Sequence, residues 1–166
     1  MNAKWGILEI LSQDHEAIIT IADVARALNI AYSHAHKYVY ELINENVLKT
    51  KKVGKALTIS LDVTRPQTRA YLALIAYKKT QEWQQKDPRA TKILEKLHSI
   101  RNKFLCAFLH GNRIVFIVPD GCKNKESFKD FRLRKIIEWK DFNAKHYENI
   151  LILAGAENYY YYNGDI

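Results

Sequence analysis

A helix-start signal limits how the first third of the chain can fold. In Thr20-Ile21-Ala22-Asp23 the Thr20 hydroxyl and the Asp23 carboxylate have the spacing of a capping box, in which both groups bond free backbone N–H groups. The apolar spacing that follows predicts a helix over Ile21–Leu28, which ends at Asn29, a residue that tolerates the left-handed conformation. A helix this short is stable only against neighbours, so the flanking segments decide the fold.

The flanking segments predict those neighbours. Residues 3–13 have helical apolar spacing, and the β-branched segment 17–20 predicts a short strand. A further helix is predicted from about 31 to 46. A reversal at Gly54 and alternating apolar residues in 56–61 then predict a two-stranded hairpin. Helix, strand, helix, helix and hairpin in this order are the plan of a winged helix-turn-helix.

Residues 21–30 also resemble the helix–turn junction of the MarR/ArsR-like winged-helix regulators. The matching features are the small Ala25 where helices cross, the turn residue Asn29 and the apolar Ile30. The resemblance continues through 40–48 into the wing and covers roughly residues 5–62. It implies binding of double-stranded DNA, with the second helix of the motif in the major groove.

The chain departs from this family pattern at the start of the second helix. Such regulators usually carry Ser or Thr as the cap of the recognition helix, whereas this chain has Ala31. Ser33 is the alternative cap, and it would move the helix start by two residues.

The resemblance and the helical period together predict the DNA-contacting residues. Hydroxyl and imidazole groups can reach base edges, and lysines contact phosphates or guanine. The candidates are Tyr32, Ser33, His34, His36, Lys37 and Tyr40 on the recognition helix, and Lys49, Lys51, Lys52 and Lys55 on the wing. A metal site at His34 and His36 is not expected, because helix residues two apart point to different faces. A winged helix used only for protein–protein contact remains an alternative.

Charge and composition point to the same class of partner. The 166 residues carry a net charge of +8 and are 48% hydrophobic, so the chain has enough apolar mass for a core. Residues 1–64 hold seven basic and seven acidic residues, whereas 65–166 hold nineteen basic and eleven acidic residues.

The sequence predicts a cytoplasmic protein that does not cross a membrane. Its two cysteines are isolated from each other, it shows no signal peptide, and it has no apolar run of ~18 residues. No cofactor or metal motif is present.

The second part of the chain predicts a separate α+β unit. We expect a winged helix-turn-helix domain over 1–63 and a dimerisation or partner-binding domain over 64–166, with α+β as the fold class. The first element expected after residue 64 is a helix to about Gln85, whose apolar positions are Ala70, Leu74 and Tyr77, with Leu72 and Ile75 as further members of a broad stripe. The other expected elements are a helix from Asp87-Pro88, an antiparallel hairpin of 104–109 with 114–118, a basic helix over 124–138, and strands at 150–153 and 159–162. The broad apolar stripe of the first helix suits a homodimer contact and, equally, burial against the second part of the chain.

Two further motifs lie in this second part. Pro119-Asp120 and Glu138-Trp139-Lys140 resemble the PD-(D/E)xK nuclease signature, in which Asp120 and Glu138 would hold Mg²⁺ and Lys140 would help to activate water. That resemblance needs a strand where the sequence predicts the end of a helix. The basic stretch Lys123, Lys125, Lys129, Arg132, Arg134 and Lys135 is either a second phosphate-contacting surface or a solvated helix face, and the interleaved Glu126 and Asp130 favour the solvated face.

The sequence therefore predicts a sequence-specific, double-stranded DNA-binding transcriptional regulator that acts as a homodimer and is not an enzyme. The alternatives are a small Mg²⁺-dependent nuclease targeted by a winged helix, and a winged-helix protein–protein adaptor.

Overall fold

The fold is described from a computed structural model, and the described residues are 3–13, 17–54, 56–122, 125–143, 146–147 and 150–163. Lys55 and Lys123 lie outside them. The structure divides into two compact units, one ending at Ile75 and one running from Ala76 to Asn163. This division falls later than the predicted boundary at 63/64. The roles predicted for the two parts stay predictions.

The first unit contains the elements that the sequence predicts. In chain order they are α1 (Ala3–Leu11), β1 (Ile19–Thr20), α2 (Ile21–Leu28), α3 (Tyr32–Asn44), β2 (Leu48–Val53), β3 (Ala56–Leu61) and the start of α4 (Pro66–Lys86). The three strands form an antiparallel sheet in the order β1-β3-β2. The buried side chains that pack this unit include Ile7, Leu11, Val24, Val39 and Leu42. This arrangement is a winged helix-turn-helix.

The turn between α2 and α3 follows the local signals. Thr20 and Asp23 form the predicted capping box, in which the Asp23 N–H donates to Thr20 Oγ1 over 3.2 Å and the Thr20 N–H donates to Asp23 Oδ2 over 2.8 Å. Asn29 ends α2 in the left-handed conformation at φ 51°. Ala31 is the N-cap of α3 and makes no side-chain cap bond. The alternative start at Ser33 was therefore wrong.

The long helix α4 buries only part of the predicted apolar stripe. Leu72 and Ile75 are buried, whereas Leu74 is 54% and Tyr77 is 61% exposed. Two threonines also lie on the buried face, although hydropathy counts them as polar. Thr68 Oγ1 donates to the Val47 carbonyl in the first unit, and Thr80 Oγ1 donates to the Ile152 carbonyl in the second. Ala70, the third predicted apolar position, is also exposed.

The second unit is a four-stranded sheet with helices. After α4 its elements are α5 (Ala90–Ser99), β4 (Cys106–His110), β5 (Arg113–Val118), β6 (Arg134–Glu138), β7 (Leu151–Ala154) and α6 (Ala156–Asn163). The strand order is β6-β5-β4-β7, in which β5 and β6 are parallel and the other pairs antiparallel. The predicted hairpin joins β4 to β5 at a two-residue turn between His110 and Arg113. The α+β fold class is confirmed.

Two predicted elements of this unit were wrong. The helix predicted over 124–138 is not formed: its described residues, 125–138, form a 3₁₀ turn, a loop and the strand β6, because Phe128 and Phe131 are buried in the core and Ile136 pairs with Phe116 of β5. Residues 159–162 lie in α6 rather than in a strand. Tyr159 is buried, so tertiary packing overrides the β propensity of the tyrosine run.

The core of the second unit lies between the sheet, α5 and the loop that carries Phe128 and Phe131. Phe116 is at its centre, with ring centroids 5.5 Å from Phe104, 4.6 Å from Phe128 and 5.1 Å from Phe131. In the part of the chain that the structure describes, no helix is long and apolar enough to cross a membrane.

Candidate nucleic-acid interface

One face of α3 is exposed to solvent. Ala35, Val39 and Leu42 turn inward and are fully buried. All six side chains predicted to contact DNA lie on the exposed surface of the helix: Tyr32, Ser33, His34, His36, Lys37 and Tyr40. The exposure that DNA contact requires is therefore present, and the contacts themselves stay a prediction.

Three of these side chains form a ladder along α3. The ring of His36 lies 6.1 Å from that of Tyr32 and stacks on that of Tyr40 at 4.4 Å. Their spacing of four residues places them one above another on the same helix face. Mutual stacking restricts their rotamers, so less conformational entropy would be lost when the face meets a ligand.

The two histidines of α3 stand two positions apart, so their side chains point to different faces of the helix. Among the described residues, no group of three or more His, Cys, Asp or Glu side chains could hold a metal ion.

The wing presents exposed lysines on both of its faces. Lys49, Lys51 and Lys52 are exposed on β2, and Lys55 lies outside the described residues. Since strand side chains alternate, Lys49 and Lys51 share one face, and Lys52 lies on the face of the buried Leu48. The hairpin is held in register by its ladder and by Thr58 Oγ1, which donates to the Lys51 carbonyl over 2.6 Å.

Two glutamates at the C-terminal end of α3 are paired with a lysine of α1. Lys4 of α1 lies 3.0 Å from Glu41 and 2.6 Å from Glu45, and these hydrogen bonds raise the pKa of the Lys4 ammonium well above its usual range. The sequence reasoning missed this contact. Its available signal was the i, i+4 spacing of Glu41 and Glu45, which puts both carboxylates on one face of the helix.

Other cations of the first unit also have acidic partners. Arg26 pairs with Asp23 at 2.7 Å, and Arg65 pairs with Asp62 at 3.2 Å. By contrast, the described side chains of α3 and β2 include four lysines without an acidic partner: Lys37, Lys49, Lys51 and Lys52. Among the described residues of the first unit, exposed positive charge without an acidic partner is thus found on α3 and β2.

The structure also brings the nuclease-like residues together. Asp120 follows β5 and Glu138 ends the neighbouring parallel strand β6, so both stand at the same edge of the sheet. The Lys140 N–H donates to Asp120 Oδ1 over 2.8 Å, and Lys140 Nζ lies 3.2 Å from Glu138 Oε2. The Glu138 carboxylate accordingly raises the pKa of the Lys140 ammonium. The strand that this motif needs is therefore present, although the sequence predicted a helix.

Neither cysteine suggests chemistry. Cys106 is buried in β4, and burial raises the pKa of its thiol far above the usual range, which keeps it protonated and unreactive. Cys122 is a free, half-buried thiol.

Comparisons with known proteins give limited information. No protein-family model matches the sequence, and no curated protein matches it. Among solved structures, the adhesin competence repressor AdcR from Streptococcus pyogenes is 19% identical with a TM-score of 0.41, and the match covers 61% of this chain and 79% of that chain. Two mutants of ZitR from Lactococcus lactis are 19% and 18% identical, each with a TM-score of 0.41 over 61% of this chain and 73% of theirs. Values this low do not establish a shared function.

Proposed function

We propose that this protein is a sequence-specific, double-stranded DNA-binding transcriptional regulator. Its winged helix would place α3 in the major groove and the wing against the phosphate backbone. The observation that carries this proposal is the distribution of charge among the described residues of the first unit, where the lysines without an acidic partner lie on α3 and β2. The resemblance of residues 21–30 to MarR/ArsR-like regulators fits the same function.

The two elements would make different kinds of contact. On α3, Ser33 and His34 offer donors and acceptors to base edges, and Lys37 can reach a guanine or a phosphate. The wing lysines Lys49 and Lys51 would contact phosphates, which positions the protein without reading sequence.

We further infer that the regulator acts as a homodimer in the cytoplasm. Dimeric winged-helix and helix-turn-helix regulators bind two half-sites, so their operators are pseudo-palindromic. Leu74 and Tyr77 of α4 are large, exposed side chains that a second copy would bury. Sedimentation equilibrium of Leu74→Glu tests this assignment: the variant should be monomeric at concentrations where the wild type is dimeric, and an unchanged dimer would contradict it.

The DNA-binding proposal is tested by fluorescence anisotropy with duplexes of random and selected sequence over a salt series. The wild type should bind random duplex with an affinity that falls steeply as salt rises. His34→Ala and Lys37→Ala should change the preferred sequence, whereas Lys92→Ala, at an exposed position on α5, should not. No binding even at about 50 mM salt would contradict the proposal and favour the protein–protein adaptor.

A nuclease is the second candidate function, and a specific observation favours it. Asp120, Glu138 and Lys140 meet at the edge of β5 and β6, and carboxylates are ligands that Mg²⁺ prefers. Against it, the Lys140 ammonium is paired with Glu138, and the described residues offer no group of three acidic, His or Cys ligands.

Incubating labelled duplex with the protein and Mg²⁺ decides between the two functions. A nuclease should cut DNA in the wild type and in Asp130→Asn, an exposed acid outside the motif, but not in Asp120→Asn. Intact DNA in all three samples would exclude this activity.

A further inference from the structure

A second group of cations lies in the second unit, at the edge of the sheet where β5 and β6 begin. We call this group the basic rim and define it as Arg113, Lys129 and Arg132. We propose that the basic rim is a second contact surface for the phosphates of duplex DNA, separate from α3 and the wing. The choice of DNA as the ligand rests on the proposed function.

The backbone brings the rim residues to one edge. Because β5 and β6 are parallel, both strands start at the same side of the sheet. The Ile114 N–H donates to the Leu133 carbonyl over 2.9 Å, which sets Arg113 beside the segment that carries Arg132. Arg134, at the start of β6, pairs in register with Ile114.

The loop that carries Lys129 and Arg132 is anchored. Phe128 and Phe131 are buried in the core of the second unit on either side of Lys129. The Arg134 guanidinium donates to the Phe131 carbonyl over 3.0 Å and to the Lys129 carbonyl over 3.4 Å, which ties the loop to the strand. An anchored loop presents its charged side chains at a small entropic cost of binding.

The described part of the chain leaves the rim charges without acidic partners. Arg113, Lys129 and Arg132 are exposed, and none of them has an acidic partner among the described residues. Other cations of this unit do have one: Arg89 pairs with Asp87, and Arg101 pairs with Glu157, each at 2.9 Å. Like charges at one edge repel each other, and a bound polyanion would relieve that repulsion.

The chemistry of the rim suits nucleic-acid phosphates. Arginine offers a planar fork of donors that matches a phosphate, and two arginines with a lysine can contact several phosphates along one backbone. The interleaved Asp130 and Glu126 suggested a solvated helix face, but this segment is a loop and a strand rather than a helix. Asp130 still lies between Lys129 and Arg132 in this loop, but among the described residues it forms no ion pair with either of them.

The experiment compares salt dependences of the full-length protein bound to duplex DNA. Log affinity falls with log salt, and each phosphate contact adds about 0.9 to the steepness of that fall. Arg113→Gln/Arg132→Gln should therefore make the slope shallower by about 1.8. Between about 50 and about 200 mM salt, the variant's affinity should then fall about 12-fold less than that of the wild type. Lys86→Gln/Lys92→Gln removes two exposed charges outside the rim and should leave the slope unchanged.

A wing variant, Lys49→Gln/Lys51→Gln, measured in parallel separates this inference from the proposed function. If the slope becomes shallower in both the rim and the wing variants, the rim contact and docking through the wing are both supported. A shallower slope in the rim variant alone supports the rim contact and contradicts docking through the wing. A shallower slope in the wing variant alone overturns the rim contact and leaves the proposed function standing. An equal loss in the rim variant and in Lys86→Gln/Lys92→Gln would also overturn the rim, because net charge would then explain both.

Discussion

Replacing Gly155 by Ala should destabilise the second unit by about 2–5 kcal/mol. Gly155 precedes α6 with φ +75°, and an added Cβ would lie 2.1 Å from the Leu105 carbonyl oxygen and 3.0 Å from the Cys106 Cα. The left-handed conformation costs a residue with a Cβ about 1–2 kcal/mol. Overpacking against backbone atoms adds about 1–3 kcal/mol. The Leu105 carbonyl also accepts a bond from Asn158, so shifting it weakens the attachment of α6.

Gly111 offers a matched control for this change. It has φ +57° in the turn between β4 and β5, but an added Cβ would meet nothing within 4 Å. Gly111→Ala should therefore cost only the conformational part, about 1–2 kcal/mol. The difference in the free energy of unfolding between the two variants measures the cost of placing a Cβ at Gly155 against the backbone of Leu105 and Cys106.

Urea denaturation of the two variants in a Trp5→Phe background measures this difference. The remaining tryptophans, Trp83 and Trp139, then report on the second unit. Equal destabilisation by Gly111→Ala and Gly155→Ala would refute the reasoning, because it would mean that the backbone does not pass close to Gly155.

Three further predictions concern local contacts. Thr20→Ala removes the capping hydroxyl of α2 and should lower the free energy of unfolding of the first unit by about 1 kcal/mol, measured by urea denaturation with Trp5 fluorescence. Hydrogen bonds from Arg89 lower the pKa of the Asp87 carboxyl from 3.8 to about 2. The Asp87–Arg89 interaction therefore stabilises the fold fully above the pKa that Asp87 has in the unfolded chain, and this stabilisation is lost as pH falls through about 2. The stability difference between wild type and Asp87→Asn should accordingly be constant above about pH 5 and shrink below pH 4, and a difference that grows on acidification would contradict this. Lys4→Gln frees two carboxylates on α3, so it should weaken DNA binding at low salt more than at high salt and lower stability by at most about 1 kcal/mol.

Most of the first unit could be predicted because its signals are local. The capping box at Thr20–Asp23 and the turn at Asn29 depend on residues within a few positions of each other. Helical spacing alone identifies the buried face of α3, and it thereby identifies the exposed face as well. The candidate DNA-contacting residues on α3 follow from that period taken together with the resemblance to winged-helix regulators.

The errors arose where distant contacts decide the structure. On α4, Thr68 and Thr80 are buried because backbone carbonyls of other segments accept their hydroxyl protons, and hydropathy contains no record of those partners. The strand β6 exists because β5 lies beside it, and a short apolar run does not by itself distinguish a strand from a helix.

The electrostatics of the candidate sites were the least predictable feature. The Lys4–Glu45 contact joins residues 41 positions apart, and the Lys140–Asp120 contact joins residues 20 apart. Which charges remain free depends on such pairs, so a charge count along the sequence cannot identify a phosphate-contacting face.

The central claim is that α3 enters the major groove, and chemical probing of guanine N7 tests it most directly. N7 lies in the major groove, and dimethyl sulfate methylates it when it is accessible. On a duplex selected for tight binding, the wild type should protect guanines at two half-sites, and Lys37→Ala should restore reactivity at some of them. A bound protein that leaves every guanine N7 fully reactive would contradict the account.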